Sequence, residues 1–302
     1  MTGLRGLSPR WQGHAAMLLF SALIAGSFSL GARVGAHVAP VALNALRFWV
    51  AAALVGGLLL WRGGITRQAA RAPWRYLVLG GLYAGYFVLM FEGLKTALPV
   101  SAAAVFTLTP ILTAGFGWLV LRQRLTGRMS VALALGGGGA LWVIFRGDLA
   151  ALMAFDLGRG EAIYFLGCIA HALYAPLVRR LNRGEPLLVF TFGTLLGGGV
   201  ILTIYGWEAL RATDWAAMPA IVWITLAYVA VFASAVTVLI MQFAMMRLPS
   251  AKVMAYTYLT PSWVIGWEVA LGGRLPPWNA LVGLGLTLAA LGLLLRDEPY
   301  AG

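Results

Sequence analysis

The chain has 302 residues, 61% of them hydrophobic and only 11% charged, with a mean hydropathy of +0.85. A water-soluble domain carries roughly 25% charged residues on its surface, so a soluble fold is excluded. The net charge of +12 would suit a nucleic-acid partner on a soluble protein, but here the basic residues fall in short segments between apolar blocks. That pattern orients a chain in a membrane, so the expected surroundings are a lipid bilayer and no nucleic acid.

Ten apolar runs follow in chain order: 13–32, 41–61, 74–94, 99–121, 129–145, 161–180, 187–206, 218–243, 251–272 and 278–295. Each approaches the ~20 residues that a helix needs, at ~1.5 Å per residue, to cross ~30 Å of hydrocarbon. The first run carries Ser21, Ser27 and Ser29. With Arg5 and Arg10 ahead of it and Val34-Gly35-Ala36 behind it, it also fits a cleavable signal peptide. Its likeness to an internal run, described below, favours a retained span. The third run places Tyr83, Tyr86, Phe87 and Met90 on one helical face. The fourth carries Thr107 and Thr109 ahead of Pro110. Four consecutive glycines, Gly136 to Gly139, weaken the fifth as a helix in water, but in lipid the backbone must satisfy itself. Such a run is expected to pack closely on a neighbour.

In the sixth run Tyr164, Cys168, His171 and Tyr174 share a face, and Pro176 follows. The eighth holds Tyr228, Ser234, Thr237 and Gln242, and the ninth sets Tyr256, Tyr258, Trp263 and Trp267 around Pro261. Cys168 is the only cysteine, so no intramolecular disulfide or paired-cysteine metal site is available. The aspartates Asp148, Asp156, Asp214 and Asp297 lie between runs or in the C-terminal tail. No catalytic residue, metal or cofactor is expected.

With the N-terminus placed in the cytoplasm, the inner segments hold 15 basic residues and the outer ones 6, while Arg47 lies near the outer end of the second run. This bias predicts both termini in the cytoplasm, as an even number of spans requires.

The chain also repeats. Leu98-Pro99 matches Leu248-Pro249, Thr109-Pro110 matches Thr260-Pro261, and Arg124-Leu125 matches Arg274-Leu275, at offsets of 150, 151 and 150. The first run matches the sixth at an offset of 147: Gly13 meets Gly160, Ser21 meets Cys168, Ser27 meets Tyr174 and Arg33 meets Arg180. Residues 1–147 and 148–302 therefore read as two five-helix repeats. Five is odd, so the second repeat enters the membrane from the opposite side. Inverted repeats are frequent in secondary transporters, whose substrate site lies near the midplane between the halves.

These residues resemble the drug/metabolite transporter superfamily, and within it the ten-span EamA-type exporters. The resemblance rests on Gly26-Ser27-Phe28, Ala45-Leu46-Arg47-Phe48, Leu98-Pro99 with Thr109-Pro110, Arg124-Leu125-Thr126, Ala172-Leu173-Tyr174, Arg179-Arg180, and Leu248-Pro249 with Thr260-Pro261. It covers nearly the whole chain. Gln123 and Gly273 stand where that family often has glutamate, and Ala25 and His171 where it often has tryptophan. The aromatic lining is most similar to that of YddG-type exporters of aromatic and other amino acids.

The resemblance implies an all-α bacterial inner-membrane exporter of small metabolites, with amino acids foremost, working by alternating access as a monomer. The expected substrate-lining residues are Tyr83, Tyr86, Phe87, Met90, Tyr164, His171, Tyr174, Thr107, Ser27, Tyr258 and Trp263. Buried phenols and imidazoles need partners or water, so several on converging helices point to a wet, stacking cavity. His171 reads as either a proton relay or a structurally satisfied histidine. Pro110, Pro176 and Pro261 read as flexing points or as simple curvature. A carrier of sugar phosphates would want a cation at mid-span, and none is expected there. A membrane-embedded enzyme stays as the alternative class, although no histidine pair or carboxylate cluster has metal-ligand spacing.

Overall fold

The computed structural model describes residues 8–64, 71–154, 157–273 and 275–296, and these are almost entirely helical, with no strand among them. In chain order the helices are α1 (Pro9–Val34), α2 (Pro40–Trp61), α3 (Trp74–Gly93), α4 (Pro99–Phe106), α5 (Thr109–Leu121), α6 (Gly127–Ile144), α7 (Leu149–Ala154), α8 (Arg159–Leu181), α9 (Leu187–Tyr205), α10 (Trp207–Ala212), α11 (Ala220–Ala230), α12 (Thr237–Met245), α13 (Ser250–Ala255), α14 (Thr260–Ala270) and α15 (Trp278–Leu295). Proline occupies the first turn of α1, α2, α4, α5 and α14. Its missing N–H costs nothing there and its fixed φ suits the helix. Ser8 and Thr126 cap α1 and α6 by accepting from Trp11 N at 3.4 Å and Met129 N at 3.2 Å.

Eight helical stretches are long and apolar enough to cross a bilayer, with Leu281–Leu295 as a shorter apolar helix. Three of the expected runs are not continuous α-helix. The fourth breaks at Thr107-Leu108, between α4 and α5. The eighth contains a π-turn, Val231–Val236, between α11 and α12. The ninth contains a 3₁₀ turn, Tyr256–Leu259, between α13 and α14. The breaks in the fourth and ninth runs both precede a Thr-Pro pair, so the repeat read in sequence recurs in local geometry. Pro110 and Pro261 thus open a new helical segment, whereas Pro176 lies inside α8.

The two halves exchange their first helices. α1 packs against α11, α12 and α14, and α8 packs against α3, α4 and α5. α2 lies on α9, and α6 on α15. Met17, Phe20, Ile24 and Phe28 of α1 are fully buried, which makes this helix part of the packed bundle. The closest crossings use glycine. A Cβ on Gly93 or Gly160 would meet the other's carbonyl oxygen, and the same holds for Gly139 and Gly283. Trp61, Trp118, Ile204, Trp223 and Phe232 face outward, as a surface bathed in lipid tails allows.

Ion pairs tie helix ends. Arg75 of α3 pairs with Glu185, in the α8–α9 connection, at 2.5 Å with both side chains buried, and also donates to Leu181 O at 2.6 Å. Arg33 of α1 pairs with Glu268 of α14 at 3.2 Å, with both side chains partly exposed.

Candidate functional site

Five helices from both halves converge on one cluster of rings. α1 supplies Phe28, α2 supplies Phe48, α3 supplies Tyr83, Tyr86 and Phe87, α4 supplies Phe106, and α8 supplies Tyr164, His171 and Tyr174, all with 0% exposure. The helical spacing of 83, 86 and 87, and of 164, 171 and 174, aims these side chains across the α3–α8 crossing. There Gly93, Gly160 and Gly167 let the two backbones approach. Tyr86 and His171 lie 4.3 Å apart between ring centroids, Tyr83 and Tyr174 stack at 5.0 Å, and His171 lies nearly parallel to Tyr174 at 6.2 Å. Such pairs add directional stabilisation to the burial of the rings.

Part of the polar rim is satisfied internally. The hydroxyls of Tyr86 and Tyr164 bond at 3.1 Å. Gln242 Nε2 donates to the Tyr174 hydroxyl at 3.1 Å, while Gln242 Oε1 accepts from Thr191 at 2.6 Å. The remainder is not. Tyr83 OH, both ring nitrogens of His171, Ser27 Oγ and Thr237 Oγ1 have no hydrogen-bond partner among the described residues. The Tyr83 and Thr237 hydroxyls face each other without a hydrogen bond of good geometry. A buried polar group left unpaired costs ~1–3 kcal/mol. Tyr83 and His171 carry theirs on the stacked rings themselves, and each such unpaired group calls for an explanation.

The structure gathers Tyr83, Tyr86, Phe87, Tyr164, His171 and Tyr174 into this cluster, with Met90 fully buried on the same helix as Tyr83; Ser27 is buried in α1, one residue before Phe28. It does not bring the other expected residues there. The Thr107 hydroxyl donates to Ala104 O at 2.6 Å and closes the end of α4. Tyr258 belongs to a separate apolar cluster with Met129, Leu133, Leu291 and Leu294, its ring lying against Gly136. Trp263 is 42% exposed and donates to Ser21 Oγ at 3.2 Å.

Arg47 needs a correction. The sequence reading leaves it near the outer end of the second run and finds no cation in the site. The structure buries it completely, the eighth residue of α2, with its guanidinium carbon 3.4 Å from the centroid of the Phe87 ring. An ionisable residue that far into an apolar helix is a functional signal in its own right, and it was visible in the sequence. Phe28, Phe48 and Phe106 complete the cluster and carry no such signal, since a buried phenylalanine usually only fills space.

Two cavities lie toward opposite ends of the bundle. One, of about 650 Å³, is lined by Arg10, Arg122, Arg124, Arg179, Arg247 and Lys252 at the end where α1 begins. The other, of about 240 Å³, is lined by residues that include Pro99, Ser101, Arg146 and Glu268 at the end where α1 finishes. The side chains of the ring cluster are fully buried.

The EamA-like transporter family matches the chain twice, over residues 11–145 and 158–296. The Uncharacterized transporter YyaM of Bacillus subtilis (strain 168) is 28% identical over 282 residues, covering 92% of this chain and 91% of that protein. A crystal structure at 22% identity superposes with a TM-score of 0.71 over 94% of this chain and 95% of its own, which places the two in one fold.

Proposed function

This chain belongs to the EamA-like transporter family, and from that premise we propose that it exports small metabolites, chiefly amino acids with apolar or aromatic side chains. The observation that carries this reading is the enclosed ring cluster, in which Tyr83 OH and both His171 nitrogens lack partners among fully buried, stacked aromatics. Rings suit an apolar side chain, and unpartnered hydroxyls and imidazole suit the polar end of a zwitterion.

In the proposed topology all ten runs cross the bacterial inner membrane, with α13–α14 and α15 completing the eight long stretches. Both termini lie in the cytoplasm, as the 15-to-6 distribution of basic residues favours. Residues 1–147 and 148–302 form oppositely oriented halves that work as a monomer. Alternating access then moves one half against the other around the rings, with Pro110, Pro176 and Pro261 as flexing points. His171 is the titratable group on hand for proton coupling.

Purified protein in liposomes preloaded with unlabelled phenylalanine, leucine or glutamate tests the reading. Labelled phenylalanine and leucine should enter by counterflow, and Tyr83→Phe should slow it roughly 10-fold, the value of one lost hydrogen bond to a charged group. If no amino acid exchanges in any direction, the substrate assignment is wrong.

A further inference from the structure

Arg47 is a buried cation without a buried anion. Its Nε donates to Ser234 Oγ at 2.5 Å, one terminal nitrogen to Ala233 O at 2.6 Å, and the other to Asn44 Oδ1 at 3.3 Å. All three acceptors are neutral, and no carboxylate pairs with Arg47 among the described residues. A guanidinium carries five N–H hydrogens, so one on each terminal nitrogen is unused. Leaving a buried charge without an opposite charge is among the costlier arrangements in a protein interior. Two of the acceptors belong to the π-turn Val231–Val236, an element found mostly at functional sites. The face of Phe87, 3.4 Å from the guanidinium carbon, joins this charge to the Tyr83 and Tyr86 rings at 4.8 and 4.6 Å between centroids.

Resting on the transport reading above, we propose that Arg47 is the carboxylate-binding residue of the central site, and that the substrate class is organic monocarboxylates with an apolar or aromatic body. The two unused N–H groups form the fork that a carboxylate accepts from an arginine. The hydroxyls of Tyr83, a neighbour of Arg47, and of Thr237, which faces Tyr83, supply further donors. The stacked faces of Tyr83, His171 and Tyr174 hold the body of the molecule. Among the described residues no carboxylate side chain lies in this cluster to pair with an ammonium. Recognition therefore centres on the acid group, and the amino group of an amino acid is tolerated more than read.

Competition in the phenylalanine counterflow assay separates these groups. 3-Phenylpropionate keeps the carboxylate and lacks the amine; phenethylamine keeps the amine and lacks the carboxylate. The wild type should be inhibited by 3-phenylpropionate at least 10-fold more strongly than by phenethylamine. Arg47→Gln should lower phenylalanine exchange roughly 10- to 100-fold, the range for a charge-assisted hydrogen-bonded pair, and Arg47→Lys should restore part of it. In detergent, 3-phenylpropionate should raise the melting temperature of the wild type and leave that of Arg47→Gln unmoved. Equal inhibition by the two competitors overturns the proposal, as does an Arg47→Gln protein that transports or binds like the wild type. If Arg47→Gln does not fold, the wild-type competition decides alone. If the wild type exchanges no amino acid yet is stabilised by 3-phenylpropionate and not by phenethylamine, the amino-acid reading falls and the carboxylate site stands. If it is stabilised by neither, both fall.

Discussion

Two helix crossings in this molecule use the same device and end in opposite chemistry. At α3–α8 the backbones meet at Gly93 and Gly160, and at α6–α15 they meet at Gly139 and Gly283, each glycine facing the other's carbonyl. Beyond the glycines, α3 and α8 present tyrosines and a histidine with unpartnered polar atoms. α6 and α15 present Val143 and Leu286 together with Thr287, whose hydroxyl is already bonded to Leu284 O at 2.8 Å. Glycine decides only how close two helices come. The side chains farther along each pair of helices decide whether the crossing is an apolar seam or carries buried polar atoms.

The seam should be the more fragile of the two to added volume. In Gly139→Leu or Gly283→Leu the new side chain meets backbone, which cannot rotate away. The cost should exceed the ~1–3 kcal/mol usual for overpacking. Gly138→Leu and Gly285→Leu point into open space and serve as controls. Fluorescence-detected size exclusion after heating should show the first pair aggregating at far lower temperature than the second. Equal melting of all four would refute the crossing.

The α3–α8 crossing is secured at one end by Arg75 and Glu185. Burial works against ionisation of Glu185, but hydrogen bonds from Arg75 and backbone N–H groups, with the charge of Arg75, hold its carboxyl below its ordinary 4.5. A depressed carboxylate stabilises the fold fully above its ordinary value and loses that contribution as pH falls through the depressed one. Glu185→Gln should cost about 3 kcal/mol, the low end for breaking a buried pair, because Arg75 keeps the carbonyls of Arg71, Ala72 and Leu181. Melting followed from pH 7 to pH 3 should fall more steeply for the wild type than for the variant. Parallel curves would remove Glu185 from the acid response.

Much of this contrast was legible in the sequence, because helical spacing alone puts Tyr83, Tyr86 and Phe87 on one face and Tyr164, His171 and Tyr174 on another. The offset of about 150 residues located the Thr-Pro breaks that recur in α4–α5 and α13–α14. Spacing within one helix says nothing about which neighbour covers a face, and so Tyr258 and Trp263 were grouped with rings they do not meet. Arg47 stands apart from the loop charges in the sequence, but its place near the end of an apolar run reads as interfacial until the packing of α2 against the π-turn buries it. The π-turn had no local signature; what stabilises it is the guanidinium of a helix almost two hundred residues earlier.

The polar atoms at α3–α8 make an unusual sign of effect testable. His171 is fully buried with neither ring nitrogen bonded, so His171→Phe removes an unpaired group and keeps the ring. Stability should rise by ~1 kcal/mol while transport falls, since unpaired buried groups cost about that much or more. Tyr83→Phe should behave likewise. At the seam Thr287 is already satisfied, and the unpaired group nearby is the Tyr258 hydroxyl against Gly136, so Tyr258→Phe should raise stability there too without touching transport. A His171→Phe protein that melts earlier than the wild type would show that the imidazole is structural and end its candidacy as a ligand or proton carrier.

The smallest effect belongs to the pair that ties α1 to α14. Arg33 and Glu268 keep 32% and 21% of their side-chain surface exposed, and Arg33 also donates to Ser29 O at 2.7 Å within its own helix. A pair so open to screening contributes at most ~1 kcal/mol. Glu268→Gln should lower the melting temperature slightly at low ionic strength and not at all in 0.5 M salt, whereas the loss from Glu185→Gln should persist in salt because burial shields that pair. The two pairs lie at opposite ends of the bundle, so the difference also bears on which end opens more readily. An end held by a half-exposed ion pair separates at little cost. Glu268→Gln should therefore speed exchange if opening at that end limits the cycle, and leave it unchanged if the Arg75–Glu185 end does. A salt-independent loss of stability in Glu268→Gln would reverse the ranking of the two ends.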